Sequence, residues 1–467
     1  MIEIKAPILS LPQRTTMDSV TQLRRLCRFD ARVPRYTSYP TANHFNPGVG
    51  PQEMSDWITA IPEDSAVSLY VHIPFCRRLC WFCACRTQGT ATAAPVAGYL
   101  NIVKKELALV AERLPAGVRL SRLHWGGGTP TLLAPDMMEE LTQAITDVAP
   151  FAQGAEFSVE IDPNEIDTYR LDALARIGVN RASIGVQDFD PDIQSVIGRL
   201  QTFEKTKEVA DALRKRAIES LNIDLLYGLP HQPEQRIADS VQKVLSLSPD
   251  RVALYGYAHV PWMARRQAMI PAEALPAPEA RLELYETAKR LFVWDGYQEI
   301  GIDHFARPTD GLAVAANTGT LRRNFQGYTD DPADVLIGIG ASSISRFPQG
   351  FAQNDPSTSG YHKTVVDGGF ATVRGHVDTS EDTIRAAMIE QLMSTFAIDF
   401  ESISQRFGIA GSALGAWCDG IDEAFAGFVS RTVGGIEITR KGRPLTRMIA
   451  RYLDAYAVEQ SGHSAAI

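Results

Sequence analysis

Cys76, Cys80, Cys83 and Cys85 fall within ten residues of one another, in the stretch YVHIPFCRRLCWFCACRT from Tyr70 to Thr87. Four thiols this close can serve as a disulfide framework, a zinc site, a redox pair or the holders of an iron–sulfur cluster. Zinc sites favour two C-x2-C pairs on either side of a longer loop, which close a tetrahedron from two directions. Here the spacing is C-x3-C-x2-C-x-C, and no second half-site follows. Ferredoxin-like clusters also use C-x2-C runs, but with further ligands elsewhere. A compact C-x3-C-x2-C suits three corners of one [4Fe–4S] cube. The fourth iron is then open to a bound molecule, as a catalytic metal keeps an open position. On spacing alone Cys85 is either a fourth ligand or a bystander, and zinc binding and thiol redox chemistry stay open as alternatives.

The remaining composition narrows the choice. Hydrophobic residues make up 45% and charged residues 22% of 467 positions, ordinary for a soluble globular chain with a sizeable core. The net charge of −9 argues against general binding to nucleic acid. No stretch approaches the roughly 20 apolar residues of a membrane span. MIEIKAPILSLPQR at the start lacks the charged-then-apolar order of a signal peptide. A cytoplasmic location is expected, where structural disulfides are rare. Metal binding is therefore the first reading of the four clustered cysteines. Cys27 and Cys418 lie far from them and read as free thiols.

The cysteines need a scaffold, and the chain supplies a regular one. Strand-like runs at 67–73, 122–127, 156–162, 181–187, 221–228, 251–258 and 297–303 alternate with helical segments such as 99–114 and 172–178. Strand and helix repeated in this way give βα units on a mostly parallel sheet. Six or seven units predict an α/β fold built as a partial or full (βα) barrel. Polar residues recur where the runs end: Gly126 to Thr129, Glu160 and Asp162, Gln187 and Asp188, Asp224, His259, and Asp303 with His304. The carboxyl ends of barrel strands carry active sites, and the cysteine loop follows the first strand onto the same rim. Residues 1–50 read as an N-terminal arm, 51–370 as the catalytic barrel, and 371–467 as a small α-rich C-terminal domain with one β element, GIEIT. Met17 is a second candidate start.

CxxxCxxC after a strand is the mark of radical S-adenosylmethionine (SAM) enzymes. The longer segments PRYTSYPTA (34–42), YVHIPFC (70–76), HWGGGTPT (124–131), VQDF (186–189), NIDLLYGLP (222–230), YAHVP (257–261), GIDHFARP (301–308) and RRNFQGYT (322–329) resemble the oxygen-independent coproporphyrinogen III oxidases. This resemblance runs from Arg32 to the GRPLTR segment at 442–447. It departs at Ala84 and Arg86, where the family carries Gly and Asn.

The resemblance implies a radical SAM type of barrel in which Cys76, Cys80 and Cys83 hold a [4Fe–4S] cluster and Cys85 is not a ligand. It implies two SAM molecules. Tyr70, Gly127, Glu160 and Ile344 match positions at the first. Phe82, Gly128, Thr129, Gln187, Arg199, Asp224 and Ala258 match positions at the second. Gln326 and Ile344 are the expected catalytic positions. The implied reaction is oxidative decarboxylation of two propionates of coproporphyrinogen III, through a 5′-deoxyadenosyl radical, to protoporphyrinogen IX in haem biosynthesis. Of Arg32, Arg35, Arg307, Arg322 and Arg323, at least two are expected to face the substrate's carboxylates, since arginine binds carboxylates through paired hydrogen bonds. The expected partners are the substrate and an electron donor such as flavodoxin or ferredoxin, with no nucleic acid, no membrane and a monomeric chain. A haem-degrading radical methyltransferase and a non-enzymatic haem-binding chaperone are the alternatives on the same scaffold.

Overall fold

The computed structural model describes residues 33–456. Met17, Cys27, Arg32 and the remaining positions of 1–32 and 457–467 lie outside the described residues.

Six successive strands alternate residue by residue between apolar and polar side chains. They are β1 (Ala66–Ile73), β2 (Arg119–Gly127), β3 (Phe151–Ile161), β4 (Arg181–Gln187), β5 (Ser220–Tyr227) and β6 (Arg251–Gly256), and each pairs in parallel with the next. Val67, Leu69, Val71 and Ile73 of β1, Phe157 and Val159 of β3, and Ile184 and Val186 of β4 lie in the main hydrophobic core. The helices α1 (Ala94–Ala111), α2 (Pro135–Val148), α3 (Thr168–Arg176), α4 (Phe203–Arg214), α5 (Glu234–Ser246) and α6 (Pro278–Trp294) bring their buried faces to that side. Ser68, Tyr70 and His72, and likewise Glu156, Ser158 and Glu160, fall on the opposite face. Parallel sheets usually bury two apolar faces. This one keeps its inner face polar, which suits a sheet curved around charged or hydrogen-bonding contents.

Past β6 the sheet continues antiparallel through β8 (His304–Ala306) to β7 (Gln298–Ile300). Beyond β1 it continues through β9 (Leu336–Ile339), parallel, and then β10 (Ile344–Phe347), β11 (Gly350–Asn354) and β12 (Thr372–Val377), antiparallel. The twelve strands run β12-β11-β10-β9-β1-β2-β3-β4-β5-β6-β8-β7, so the two ends of the sheet do not meet and the barrel is partial. The run at 297–303 is not a seventh βα unit. Only Gln298–Ile300 is extended, and it pairs antiparallel with its own continuation because Gly301 turns the chain back at once. The sheet reaches Val377, seven residues past the expected division at 370.

A second core gathers Met388, Leu392, Ile436, Leu445 and Ile449 around a three-stranded sheet in which Gly435–Ile438 is the middle strand. Cys418 is buried there as a free thiol. Tyr36 and Tyr39 join this core from the N-terminal arm. Tyr36 donates to Asp454 (3.0 Å), Tyr39 accepts from the Ala455 N–H (3.0 Å), and Arg447 Nε donates to the Pro34 carbonyl (3.0 Å). The described part of the arm therefore lies against the C-terminal helix Thr446–Leu453, with Arg35 reaching the Gly256 carbonyl at the end of β6.

Candidate active site

The polar inner face is stacked in layers. At the amino ends of the strands an ion network closes the barrel. Arg122 pairs with Glu156 (2.6 Å) and Asp330 (2.6 Å), Arg181 with Glu156 (2.7 Å) and Asp310 (3.3 Å), and Arg251 with Asp310 (2.6 Å). Glu156 is half-buried, and the guanidiniums of Arg181 and Arg122 hold its carboxyl down to about 2. Above this plug Tyr70 stacks on His124 with ring centres 5.7 Å apart, and His124 Nδ1 meets Ser158 Oγ at 2.5 Å. His72 Nε2 lies 3.1 Å from the Arg86 carbonyl, which can only accept, so Nε2 carries the proton and Nδ1 accepts from the Tyr70 hydroxyl at 3.0 Å. Burial pushes His72 below its usual range, in keeping with that neutral ring. The contact uses the backbone of Arg86, so the departure from Asn at that position leaves it intact.

The next layer holds two carboxylates. Burial opposes the charge on Glu160, yet a hydrogen bond and charge from His124 (3.4 Å) and the Gly127 N–H (3.0 Å) outweigh it and hold its pKa below normal. Asp224 accepts from Asn222 (2.8 Å) and Ser183 (3.4 Å), and burial together with the charge of Glu160 raises it to about 6. Neither carboxylate is in an arginine or lysine ion pair among the described residues. The three glycines that precede Thr129 are needed for close approach within the chain itself. A Cβ at Gly126 would stand 2.8 Å from Glu160 Oε1, and one at Gly128 would stand 2.5 Å from the Phe75 carbonyl. Gly127 adds a left-handed φ of +110°.

The cysteine loop sits on top. Thr129, buried beside Phe75, hydrogen-bonds the Cys76 thiol, whose burial raises it to about 11. Arg199 Nη1 donates to Cys80 Sγ at 3.6 Å, pairs with Asp162 at 3.3 Å, and sends Nη2 to the Gly185 carbonyl at 2.8 Å. The Cys85 thiol donates to Cys83 and holds it down to about 6. Cys85 is exposed, whereas Cys80 is buried and Cys76 and Cys83 are half-buried. Arg266 clamps the loop through the Cys85 carbonyl (3.3 Å) and the Thr87 hydroxyl (2.8 Å). Gln267 Nε2 bridges the carbonyls of Phe82 (2.7 Å) and Ala258 (3.1 Å), which brings those two expected positions together.

This donor set fits an iron–sulfur cube. Three sulfur donors stand on one loop, two of them already served by a hydroxyl or a guanidinium. Among the described residues Arg199 also keeps a buried Nε–H without an acceptor. Among the described residues no three His, Cys, Asp or Glu side chains close on one point as ligands to a single ion do, whereas a cube takes its thiolates at separate corners.

Residues 70–244 match the Radical SAM superfamily. Oxygen-independent coproporphyrinogen III oxidase of Paracoccus denitrificans (strain Pd 1222) is 61% identical over 97% of this chain and 100% of its own length. This chain belongs to the oxygen-independent coproporphyrinogen III oxidase family. A relative of the same name from Cereibacter sphaeroides is 57% identical over 94% of this chain and 98% of its own length. Among solved structures, coproporphyrinogen III oxidase of Escherichia coli, described as a radical SAM enzyme, aligns with a TM-score of 0.87 and 38% identity over 91% of this chain and 98% of that one. As a radical SAM oxidase of this family, the chain works with a [4Fe–4S] cluster and SAM.

Set against that family, the expected positions divide. Tyr70, Gly127 and Glu160 share the inner face of the barrel. Ile344 lies two strands from Tyr70, since Tyr70 is in register with Gly338 and a Cβ at Gly338 would stand 2.7 Å from the Ile344 carbonyl. Gln187 ends β4 with a left-handed φ of 71° beside Gly185. Gln326 is exposed at the tip of the hairpin Arg322–Asn324/Gly327–Thr329, one residue from Gly327, which faces His304 and Tyr255. Asp188 takes no part in this face. It is buried in a structural network with Gln232 (2.7 Å) and Ser240 (2.9 Å). Arg307 stacks on Tyr297 and donates to the Pro249 carbonyl (3.1 Å), and Arg322 pairs with Asp334 (3.1 Å). Gln267 and the ion plug escaped the sequence reading. No local pattern marks Gln267, while the plug residues do share the alternate positions of their strands.

Proposed function

We propose that this enzyme carries out the oxygen-independent oxidative decarboxylation of two propionates of coproporphyrinogen III to vinyl groups, giving protoporphyrinogen IX. The observation that carries the reading is the 61% identity along essentially the whole chain to an enzyme of that name. Each propionate gives up CO2, one hydrogen atom from its β-carbon and one electron. When bound, the cluster and SAM supply an electron and a carbon-centred radical able to take that hydrogen.

The chain's own residues do the holding and shielding. Cys76, Cys80 and Cys83 are the ligands of this proposal, with the Thr129 hydroxyl and the Arg199 guanidinium supporting two of the thiolates. Glu160, kept ionised by His124 and the Gly127 N–H, accepts hydrogen bonds from the amino group or ribose of a first SAM, beside Tyr70 and with Ile344 beyond. Phe82, Gly128, Thr129, Gln187, Arg199, Asp224 and Ala258 surround a second. Asp224, with a pKa of about 6, is poised to hold a proton near neutrality or to give it to a polar partner. The ion plug under Tyr70 and His124 keeps water from entering through the floor of the barrel, which matters for a radical that attacks carbon–hydrogen bonds without discrimination. Gln326 belongs to the substrate side through its hairpin. An electron carrier of the flavodoxin or ferredoxin kind reduces the cluster, and the chain works as a monomer in the cytoplasm. Among the described residues no helix is long and apolar enough to cross a membrane.

Mass spectrometry of tetrapyrroles after one anaerobic incubation tests the reading. The reconstituted protein, SAM and a reductant meet coproporphyrinogen III and haem in parallel. Loss of two CO2 from coproporphyrinogen is expected. Unchanged coproporphyrinogen with methylated or opened haem overturns it in favour of the haem-degrading relatives, and unreacted substrates with haem retained favour a chaperone.

A further inference from the structure

A cleft lies between the carboxyl ends of β5 and β6, helix α6 and the C-terminal core. Five arginines line it, Arg35, Arg281, Arg323, Arg443 and Arg447, together with Lys289, against two acids, Glu299 and Asp303. Both acids are engaged already. Glu299 pairs with Lys289 (2.6 Å) and Arg443 (2.6 Å), and Asp303 with His304 (2.7 Å) and Arg323 (3.5 Å). Arg281 and Arg35 have no carboxylate within reach among the described residues. Their guanidiniums donate to the carbonyls of Tyr257 (2.8 Å) and Gly256 (3.0 Å).

Leaving Arg447 aside, Arg35, Arg281, Arg323, Arg443 and Lys289 face two acids among the described residues, with the Arg323 side chain buried, Arg281 half-buried and Arg35 at the exposed edge. The Arg323 side chain is only 5% exposed, and among the described residues its Nε and Nη1 have no acceptor, nor has Arg281 Nε. Burial and the charge of Arg35 hold Arg281 below the ordinary guanidinium range. Gathering buried guanidiniums without matching anions is costly unless a ligand brings the charge. Arginine presents a planar fork matched to a carboxylate. The cavity volume of about 70 Å³ admits on the order of five water-sized groups, the size of a carboxyethyl arm and far short of a macrocycle. The cleft also borders the inner face. Tyr255 lines it and meets His304 edge-on at 5.6 Å.

We propose that this cleft is a carboxylate subsite that takes one non-reacting propionate arm of the tetrapyrrole, with Arg281 and Arg323 as its principal donors. The inference rests on the decarboxylase reading above, and it assigns to the cleft the anchoring of the ring so that another propionate is presented at the barrel mouth. Arg35 and Arg323 are then the two arginines of the family-specific segments that face substrate.

Fluorescence titration of the cluster-loaded protein with coproporphyrin III, and with its tetramethyl ester as the uncharged probe, tests it. Wild-type protein is expected to bind the tetracarboxylate at least tenfold more tightly than the ester. Arg281→Gln is expected to lose most of that preference, and Arg281→Lys to recover part of it, with the cluster absorbance unchanged. Equal binding of acid and ester by wild-type protein overturns the proposal without need of a variant. So does a folded Arg281→Gln protein that binds the acid as wild type does. A turnover assay on the same wild-type sample separates the two readings. Turnover alongside either overturning result removes the subsite and leaves the activity, whereas absent turnover removes the activity on which the subsite rests.

Discussion

The Arg199 guanidinium stands 3.6 Å from the Cys80 sulfur and 3.3 Å from the Asp162 carboxylate, so one buried cation ties the cysteine loop to the end of β3. It pairs with the carboxylate and donates to the sulfur of Cys80, whose burial holds the thiol above its ordinary range.

Replacing Arg199 by Gln removes that cation and leaves Asp162 facing Cys80. Hydrogen bonds to charged groups contribute about 1.5–3 kcal/mol each, so the Arg199→Gln protein is expected to reconstitute with clearly less iron and to lose at least tenfold in activity. Arg199→Lys should keep an intermediate iron content. Full iron loading and full activity in the glutamine variant would sink the assignment.

Cys85 is exposed and acts on Cys83 through a thiol hydrogen bond. Cys85→Ser, which keeps a donor there, is expected to retain the iron and sulfide content of wild type. Cys76→Ser, Cys80→Ser and Cys83→Ser should each lose most of it. A cluster lost from Cys85→Ser would make that residue a ligand and the cube closed.

Asp224 has its pKa raised from 3.8 to about 6 by burial and Glu160. The folded state then binds a proton that the unfolded chain has released, so this residue favours folding at low pH and the contribution is lost as pH rises from about 4 through 6. At pH 7 it disfavours the folded state by up to about 3 kcal/mol. Asp224→Asn should melt above wild type at pH 7 in the absence of SAM, and the gap should shrink as pH falls toward 4. A gap of the same size at both pH values would contradict this.

Asp310 lies between Arg181 and Arg251 and caps the helix Gly311–Thr318 through the Leu312 N–H at 2.8 Å. Asp310→Asn leaves two buried guanidiniums short of charge, and breaking such a buried pair costs about 3–5 kcal/mol. The urea midpoint should fall accordingly, whereas the cluster, at the opposite end of the strands, should load normally in the cold. A shift worth under about 1 kcal/mol would show the plug to be dispensable.

Much of this protein was legible in the chain alone because it is written in local spacing. The cysteines of one loop and the strand alternation act over a few residues, and all six βα units came from such patterns. So did the gathering of Tyr70 and Glu160 on the inner face, since alternate residues of neighbouring strands must share a side. Tertiary packing decided the rest. Whether the sheet closes depends on which edges meet across hundreds of residues, and the run at 297–303 turned back as a short antiparallel edge strand instead of adding a seventh βα unit. Arg199 finds Cys80 across 119 residues, Gln267 finds Phe82 across 185, and Asp188, flagged beside Gln187, turns into a structural network. Charges from distant segments meet in the plug and in the arginine cleft because folding, not sequence order, removes them from water together, and that shared desolvation has no signature along the chain.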